Sequence, residues 1–217
     1  MADRKVQPQC KRLQLSSNRT VGIQSNLKSN RCTHDRNRIR KYSGRARAVN
    51  HRSFFDILLT YSRCPRLTGY VAKKEMEKIP LLSTWMRFVY CLFLDRENPK
   101  EGLKTILQAI DYVKQGISIC IFPEGTRNKG EELSMLPFKE GAFKIAAKTG
   151  CAIVPISMNN TAAIFENQFP RIKKVNVVVE YGTPIYPKDL APEDKKHIGA
   201  YVQNIIQETI NKNAELI

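Results

Sequence analysis

PKEGLKTILQAIDYVKQGISICIFPEGTR, residues 99–127, contains the alternation on which the fold reading rests. Leu103, Ile106, Leu107, Ile110 and Val113 recur at three- and four-residue spacing, which is one face of a helix, and Gly116 stops it. ISICIF follows at once. It is short, rich in β-branched residues and almost wholly apolar, which reads as a fully buried strand. The strand ends at Pro123, and Glu124, Gly125, Thr126 and Arg127 then expose polar groups at its carboxyl end. In open α/β sheets that edge is where ligands collect.

The same alternation continues on both sides. SFFDILLTYS (53–62) reads as the first turns of a helix and RLTGYVAKKEM (66–76) contains a short strand. FKEGAFKIAAKTG (138–150) is a short helix closed by Gly150, followed directly by the strand CAIVPISM (151–158). VNVVVEYG (175–182) is another strand. In PEDKKHIGAYVQNIIQETI (192–210), Ile198, Tyr201, Val202, Ile205, Ile206 and Ile210 share one face of an amphipathic helix. The fold class is therefore α/β, a central sheet covered by helices. At 217 residues the chain is long enough for one sizeable domain, assigned to 48–217.

Residues 1–47 read differently. They are polar, basic and aperiodic, a composition that favours disorder. The net charge of +16 is concentrated here: residues 1–49 carry 13 Lys or Arg against 2 Asp or Glu, and the other 168 carry 23 against 18. The 6 cysteines are scattered with no CxxC pair, which argues against a zinc site or redox dithiol. With no secretory leader pattern at the start, reduced thiols and a cytosol-facing protein are expected. No run reaches the roughly 18 apolar residues of a spanning helix. The nearest, IPLLSTWMRFVYCLFL (79–94), is apolar enough to lie on a membrane, to line a greasy pocket or to be a buried core element.

Four short stretches hold residues suited to chemistry. In AVNHRSFFD (48–56), His51 stands five positions before Asp56. An imidazole acts as a general base near neutral pH when a carboxylate fixes its tautomer. The same spacing makes Ser53 and Asp56 an S-x-x-D capping box, so Asp56 has a purely structural reading as well. Glu124-Gly125-Thr126-Arg127 offers N–H groups, a hydroxyl and a guanidinium to a phosphate, or is a polar turn with a surface arginine. FLDR (93–96) puts Asp95 and Arg96 after an apolar stretch, and Pro155 interrupts the strand AIVPISM, where proline signals an edge, a bulge or a bend.

Taken in order, NHRSFFD, FLDR, FPEGTR and VPIS resemble the four motif blocks of the glycerolipid acyltransferase family, and most closely its 1-acylglycerol-3-phosphate acyltransferase branch. The likeness covers about residues 48–190, with further family texture in AKKEMEKIPLLSTWMRFVYCLFLDR and LPFKEGAFKIAAKTG. It implies that His51 is the base that deprotonates the acceptor's free hydroxyl and that Asp56 orients it. It implies that Glu124, Gly125, Thr126, Arg127 and Arg96 hold the acceptor's phosphate, and that Pro155 shapes the acyl or acceptor pocket. It implies acyl transfer from acyl-CoA or acyl carrier protein to the free hydroxyl of 1-acylglycerol 3-phosphate, giving phosphatidic acid, without metal, cofactor or covalent enzyme intermediate. The expected partners are a lysophospholipid, the acyl carrier and a membrane surface, with the chain peripheral on the cytoplasmic face and no nucleic acid bound.

The resemblance breaks off just before His51. Family members enter this block along an apolar strand, whereas RKYSGRARAVN is too polar to be expected as a buried strand. Either residues 1–47 are a basic extension contacting anionic lipid, or they come from a shifted reading frame upstream of an intact domain. The sheet edge left unpaired by a missing strand favours the second. Other functional readings are acylation of a different lysophospholipid or of glycerol 3-phosphate, a non-catalytic membrane-binding relative, and nucleic-acid binding through the basic arm.

Overall fold

The computed structural model describes residues 9–14, 44–64 and 67–217. Seven strands form one sheet: β1 (Gln9–Gln14), β2 (Ala46–Val49), β3 (Thr68–Lys73), β4 (Leu92–Leu94), β5 (Ser118–Ile121), β6 (Ile153–Asn159) and β7 (Asn176–Tyr181). Their order is β1-β7-β6-β2-β5-β3-β4. The five strands from β6 to β4 run parallel, while β7 is antiparallel to both β6 and β1. The helices are α1 (Phe55–Tyr61), α2 (Leu82–Phe88), α3 (Pro99–Lys114), α4 (Lys144–Thr149), α5 (Pro192–Lys196) and α6 (Ile198–Asn213).

Period-two alternation sorts the core between the two faces of the sheet. Ala46, Ala48 and Ile153 face α6, packing on Ile198, Val202, Ile206 and Ile210. Ile119 and Ile121 pack with Ala109 and Val113 of α3 and Ile145 of α4. On the opposite face Val49, Tyr70, Cys120, Ile156 and Met158 meet Leu59 of α1 and Met86 of α2. The expected α/β architecture is present. Two details differ in α3, where Leu103 and Leu107 are exposed and the buried stripe runs through Ala109 and Val113. The C-terminal helical stretch is also divided, α5 ending at Lys196 and His197 standing between it and α6.

The strand judged too polar to form is β2, and it lies in the middle of the sheet. Ala46, Arg47 and Ala48 pair with Ile119, Cys120 and Ile121 on one side, and Ala46–Val49 pair with Ile153–Ile156 on the other. Backbone pairing is indifferent to side chain, and two of the four side chains are alanines small enough to lie beneath α6. Arg47 is the exception. Its guanidinium is buried and donates to Thr68 Oγ1 at 2.5 Å, with no carboxylate within ion-pair distance among the described residues. The inference of a shifted frame from a missing strand therefore loses its basis over these residues.

Gln9–Gln14 is the one stretch before residue 44 that is described. This piece of the basic arm is a strand, paired in register from Gln9 opposite Tyr181 to Gln14 opposite Asn176. It covers the outer edge of β7, whose N–H and C=O groups would otherwise be open. Apart from residues 44–47, which lead into and begin β2, the rest of the segment expected to be disordered lies outside the described residues. Pro155 is likewise no edge residue: β6 runs between β2 and β7. Its missing N–H is tolerated because the β6–β7 ladder begins only at Ile156, and Pro155 O accepts from Gly182 N at 2.8 Å where the chain leaves β7.

A buried guanidinium without a carboxylate costs desolvation that one hydroxyl does not return. Replacing Arg47→Met should therefore raise stability, by roughly 1–4 kcal/mol in urea unfolding. A loss of stability in this variant would show that Arg47 is needed where it lies.

Candidate active site

Asn50, the residue after β2, extends the strand with its side chain. Its Nδ2 donates to Met158 O at 2.8 Å and its Oδ1 accepts from Met158 N at 2.7 Å, as a peptide group would. This delivers His51 to the carboxyl edge of the sheet. There His51 Nδ1 lies 3.1 Å from Asp56 Oδ2. The same oxygen accepts from Arg52 N at 2.7 Å and Ser53 N at 2.8 Å, and Asp56 is fully buried. Ser53 Oγ accepts from Phe55 N at 3.0 Å.

The capping box and the orienting carboxylate are therefore one arrangement rather than alternatives. Asp56 holds the first turn of α1 together and, with the same atom, takes a hydrogen from the ring. An oxygen already accepting two N–H groups offers only acceptance to the imidazole, so Nδ1 carries the hydrogen and Nε2 keeps a free lone pair. The ring rests against Phe122, centroids 4.2 Å apart, with 16% of the side chain exposed. A base held in this tautomer, partly open to solvent, is equipped to take a proton from a hydroxyl.

The loop after β5 completes the site from the other side. Glu124 is buried, its Oε1 accepting from His51 N at 2.8 Å and its Oε2 from Leu136 N at 2.9 Å. Asn128 N donates to His51 O at 2.8 Å, so the histidine's backbone is held at both polar atoms. Arg52 donates to the carbonyls of Gly130, Glu131 and Ser134, closing the loop back upon α1. Burial pushes the Glu124 carboxyl up from its ordinary value, and the N–H groups of Leu136 and His51 pull it partly back.

The structure brings together some of the residues expected here and separates others. His51, Asp56 and Glu124 form one connected group. Glu124 turns both oxygens to backbone N–H groups, so its place is that of a clamp on His51 rather than a contact for an anion. Arg96 donates to Gly125 O. Arg127 turns elsewhere: its guanidinium lies 3.7 Å from the centre of the Phe54 ring and 3.7 Å from Glu166 Oε1. Thr126 is exposed on the loop. Pro155 pairs opposite Ala48, three residues before His51, and so lies within the ladder rather than at the strand ends. Asn50, Arg52 and Asn128 were missed by sequence reasoning, and only the N-H dipeptide around Asn50 carried a signal for any of them.

Comparison with known proteins shows the family to which the chain is similar. The profile of the family described as Acyltransferase matches residues 30–159. A Saccharomyces cerevisiae protein named 1-acyl-sn-glycerol-3-phosphate acyltransferase is 30% identical over 169 residues, 77% of this chain and 55% of the yeast protein. A Salmonella typhimurium protein of the same name is 32% identical over 172 residues, 77% of this chain and 69% of its own length. The crystal structure of the 1-acyl-sn-glycerophosphate (LPA) acyltransferase PlsC from Thermotoga maritima superposes with a TM-score of 0.63 at 26% identity, covering 79% of this chain and 67% of that one. The chain spans about half the length of the yeast relative and of a coconut relative, 55% and 49%.

Truncating Glu124→Ala leaves two buried N–H groups without acceptors, at about 1–3 kcal/mol each. The expected result in chemical denaturation is a loss of that order. The pH dependence has a definite sign. A carboxyl raised on folding contributes most below its unfolded value and loses that contribution as pH rises through the folded value. The stability difference between Glu124→Gln and the parent chain should therefore shift in favour of Gln as pH rises through that range; a constant difference would contradict the burial of a titrating carboxyl.

Proposed function

The chain belongs to the acyltransferase family, and on that premise we propose that it transfers a fatty acyl group from acyl-CoA or acyl carrier protein to the free hydroxyl of 1-acylglycerol 3-phosphate, giving phosphatidic acid. The observation that carries this reading is the 3.1 Å contact between His51 Nδ1 and a buried Asp56 carboxylate, which leaves Nε2 as the proton acceptor. His51 Nε2 takes the hydroxyl proton while the oxygen attacks the thioester carbonyl. Asp56 steadies the imidazolium that forms. Collapse of the tetrahedral adduct breaks the carbon–sulfur bond, and the departing thiolate takes the proton back from Nε2. The acceptor's phosphate is an anion, and Arg96 beside Gly125 and Arg127 beside Phe54 supply the positive charge suited to it.

Substrates of this kind reside in bilayers, and an exposed apolar face beside the site supports a membrane partner. Phe54, Leu58 and Tyr61 of the α1 region and Leu81, Trp85 and Phe88 of the α2 region are all exposed, Leu81 by 86%. Tyr61 and Trp85 join the two groups, ring centroids 6.5 Å apart. Lys73, Lys74, Lys78 and Arg87 are exposed on the same stretch of chain, Lys74 and Arg87 both paired with Glu77, and Lys73 and Lys78 suit anionic head groups. Among the described residues no helix is long and apolar enough to cross a membrane. Contact through this face is therefore peripheral in kind.

Assayed with lysophosphatidate and a series of acyl-CoAs, the parent chain should turn over and His51→Ala should lose about 10²- to 10⁴-fold in kcat. Near-parent activity in His51→Ala would refute the mechanism. In a separate vesicle sedimentation assay with phosphatidylcholine and phosphatidylglycerol, replacing Leu81 and Phe88 together by Glu should release the protein from the lipid pellet. Undiminished sedimentation would remove this face as the contact.

A further inference from the structure

Gly125 lies beside Arg96, and its surroundings include Lys139, a residue outside the four motif blocks. Its φ is +75°, and a methyl group placed on it would lie 3.2 Å from both Cε and Nζ of Lys139 and 3.3 Å from Nη1 of Arg96. The two cationic groups thus approach the same point from different parts of the chain, no more than about 6.5 Å apart. Arg96 arrives from the loop after β4 and is tied there by its bond to Gly125 O. Lys139 arrives from the segment before α4, its backbone fixed by Lys139 N donating to Pro123 O at 3.0 Å and Lys139 O accepting from Ala142 N at 3.0 Å.

What distinguishes this pair is that two cations without a paired carboxylate converge on one glycine. Lys74, Arg87, Lys104, Arg127 and Lys212 each have a carboxylate within 4.0 Å. Among the described residues neither Arg96 nor Lys139 has one. Two like charges converging on a bare glycine, with backbone anchors holding both, form an arrangement that a doubly charged anion would complete. Glycine is required at the centre because any side chain would fill the space between the cations. It is also compatible with the positive φ. The adjoining residue, Glu124, clamps the backbone of His51 at 2.8 Å. An anion seated here is therefore held by the same loop that positions the base.

We propose that Lys139 and Arg96 together form a phosphate seat at Gly125, Lys139 being a specificity-determining residue for a phosphate-bearing substrate. This rests on the acyl-transfer reading, in which both substrates offer the chemistry: the acceptor a phosphate monoester, acyl-CoA its nucleotide phosphates. Arg127, drawn onto Phe54 and Glu166, stands apart from this seat.

The test compares the parent chain with Lys139→Ala, Lys139→Gln and Lys139→Arg. With lysophosphatidate and acyl-CoA varied in turn, loss of a charge-assisted contact should raise the KM of one substrate about 10- to 100-fold, with kcat changing far less. Lys139→Arg should recover most of it. A rise confined to lysophosphatidate assigns the seat to the acceptor, and one confined to acyl-CoA assigns it to the donor. Inorganic phosphate provides a readout independent of turnover: it should raise the thermal midpoint of the parent chain and of His51→Ala, but not of Lys139→Ala or Lys139→Gln. If phosphate protects the Lys139 variants as it does the parent, or protects none of them, the seat is refuted. Unchanged KM values for both substrates would refute it equally. Phosphate protection that depends on Lys139 in a chain without acyl transfer would keep the seat and reject the acyl-transfer reading alone.

Discussion

A single carboxylate joins the two halves of this site. Glu124 is carried by the loop after β5 and His51 by the loop after β2, and the bond from His51 N to Glu124 Oε1 at 2.8 Å spans them. Its other oxygen reaches Leu136 N, so the distant loop carrying His51 and the stretch that follows Glu124's own loop are held at one buried point. The raised pKa direction of Glu124 records the cost of that burial. Functional sites commonly retain a locally unfavourable group that the surrounding fold supports. Asp56 plays the companion role at the side chain, fixing the ring while Glu124 fixes the backbone. The base proposed at His51 would have to be held to within a fraction of an ångström, and two carboxylates holding it from different elements is a direct way to meet that demand.

Much of the architecture could be read from residue order because strand and helix periods differ so clearly. ISICIF and CAIVPISM announced β5 and β6, and Gly116 and Gly150 marked helix ends where the chain takes positive φ of 88° and 66°. His51 and Asp56 were visible because both belong to one short local motif. The failures share a cause: they depend on what neighbours across space. β2 escaped notice because two arginines in RARAV outweigh its apolar content, yet its backbone is paired on both sides by more hydrophobic strands. Asn50 works by imitating a peptide group opposite Met158, and nothing local in the sequence announces that. Glu124 looked like a polar group at an exposed strand end and proved to be buried.

The apolar segment 79–94 shows how such ambiguity resolves. Three readings were open, and the structure divides the segment among them residue by residue. Met86, Cys91 and Leu92 enter the core, whereas Ile79, Leu81, Trp85 and Phe88 remain outside. Leu81 is held at φ 63°, a backbone conformation unfavourable for a branched side chain, while 86% exposed. Its side chain has little of the protein to pack against there. A seven-residue helix with one face inward and large apolar groups outward is a compact way to place greasy surface beside a polar reaction centre.

The position of β2 has a consequence for how the chain is made. Its partners, β5 and β6, are encoded about 70 and 107 residues later, and β1 pairs only with β7, more than 160 residues away. Loop closure over such distances must precede the contacts that reward it, so the centre of this sheet is a late product of folding. On the ribosome, α1 can begin to coil as soon as it emerges, but His51 acquires its backbone clamp only after Leu136 has left the exit tunnel, and Asn50 its partner only after Met158. His51 is thus positioned only once strands and loops encoded about 70 to 110 residues after it have been made and most of the sheet exists.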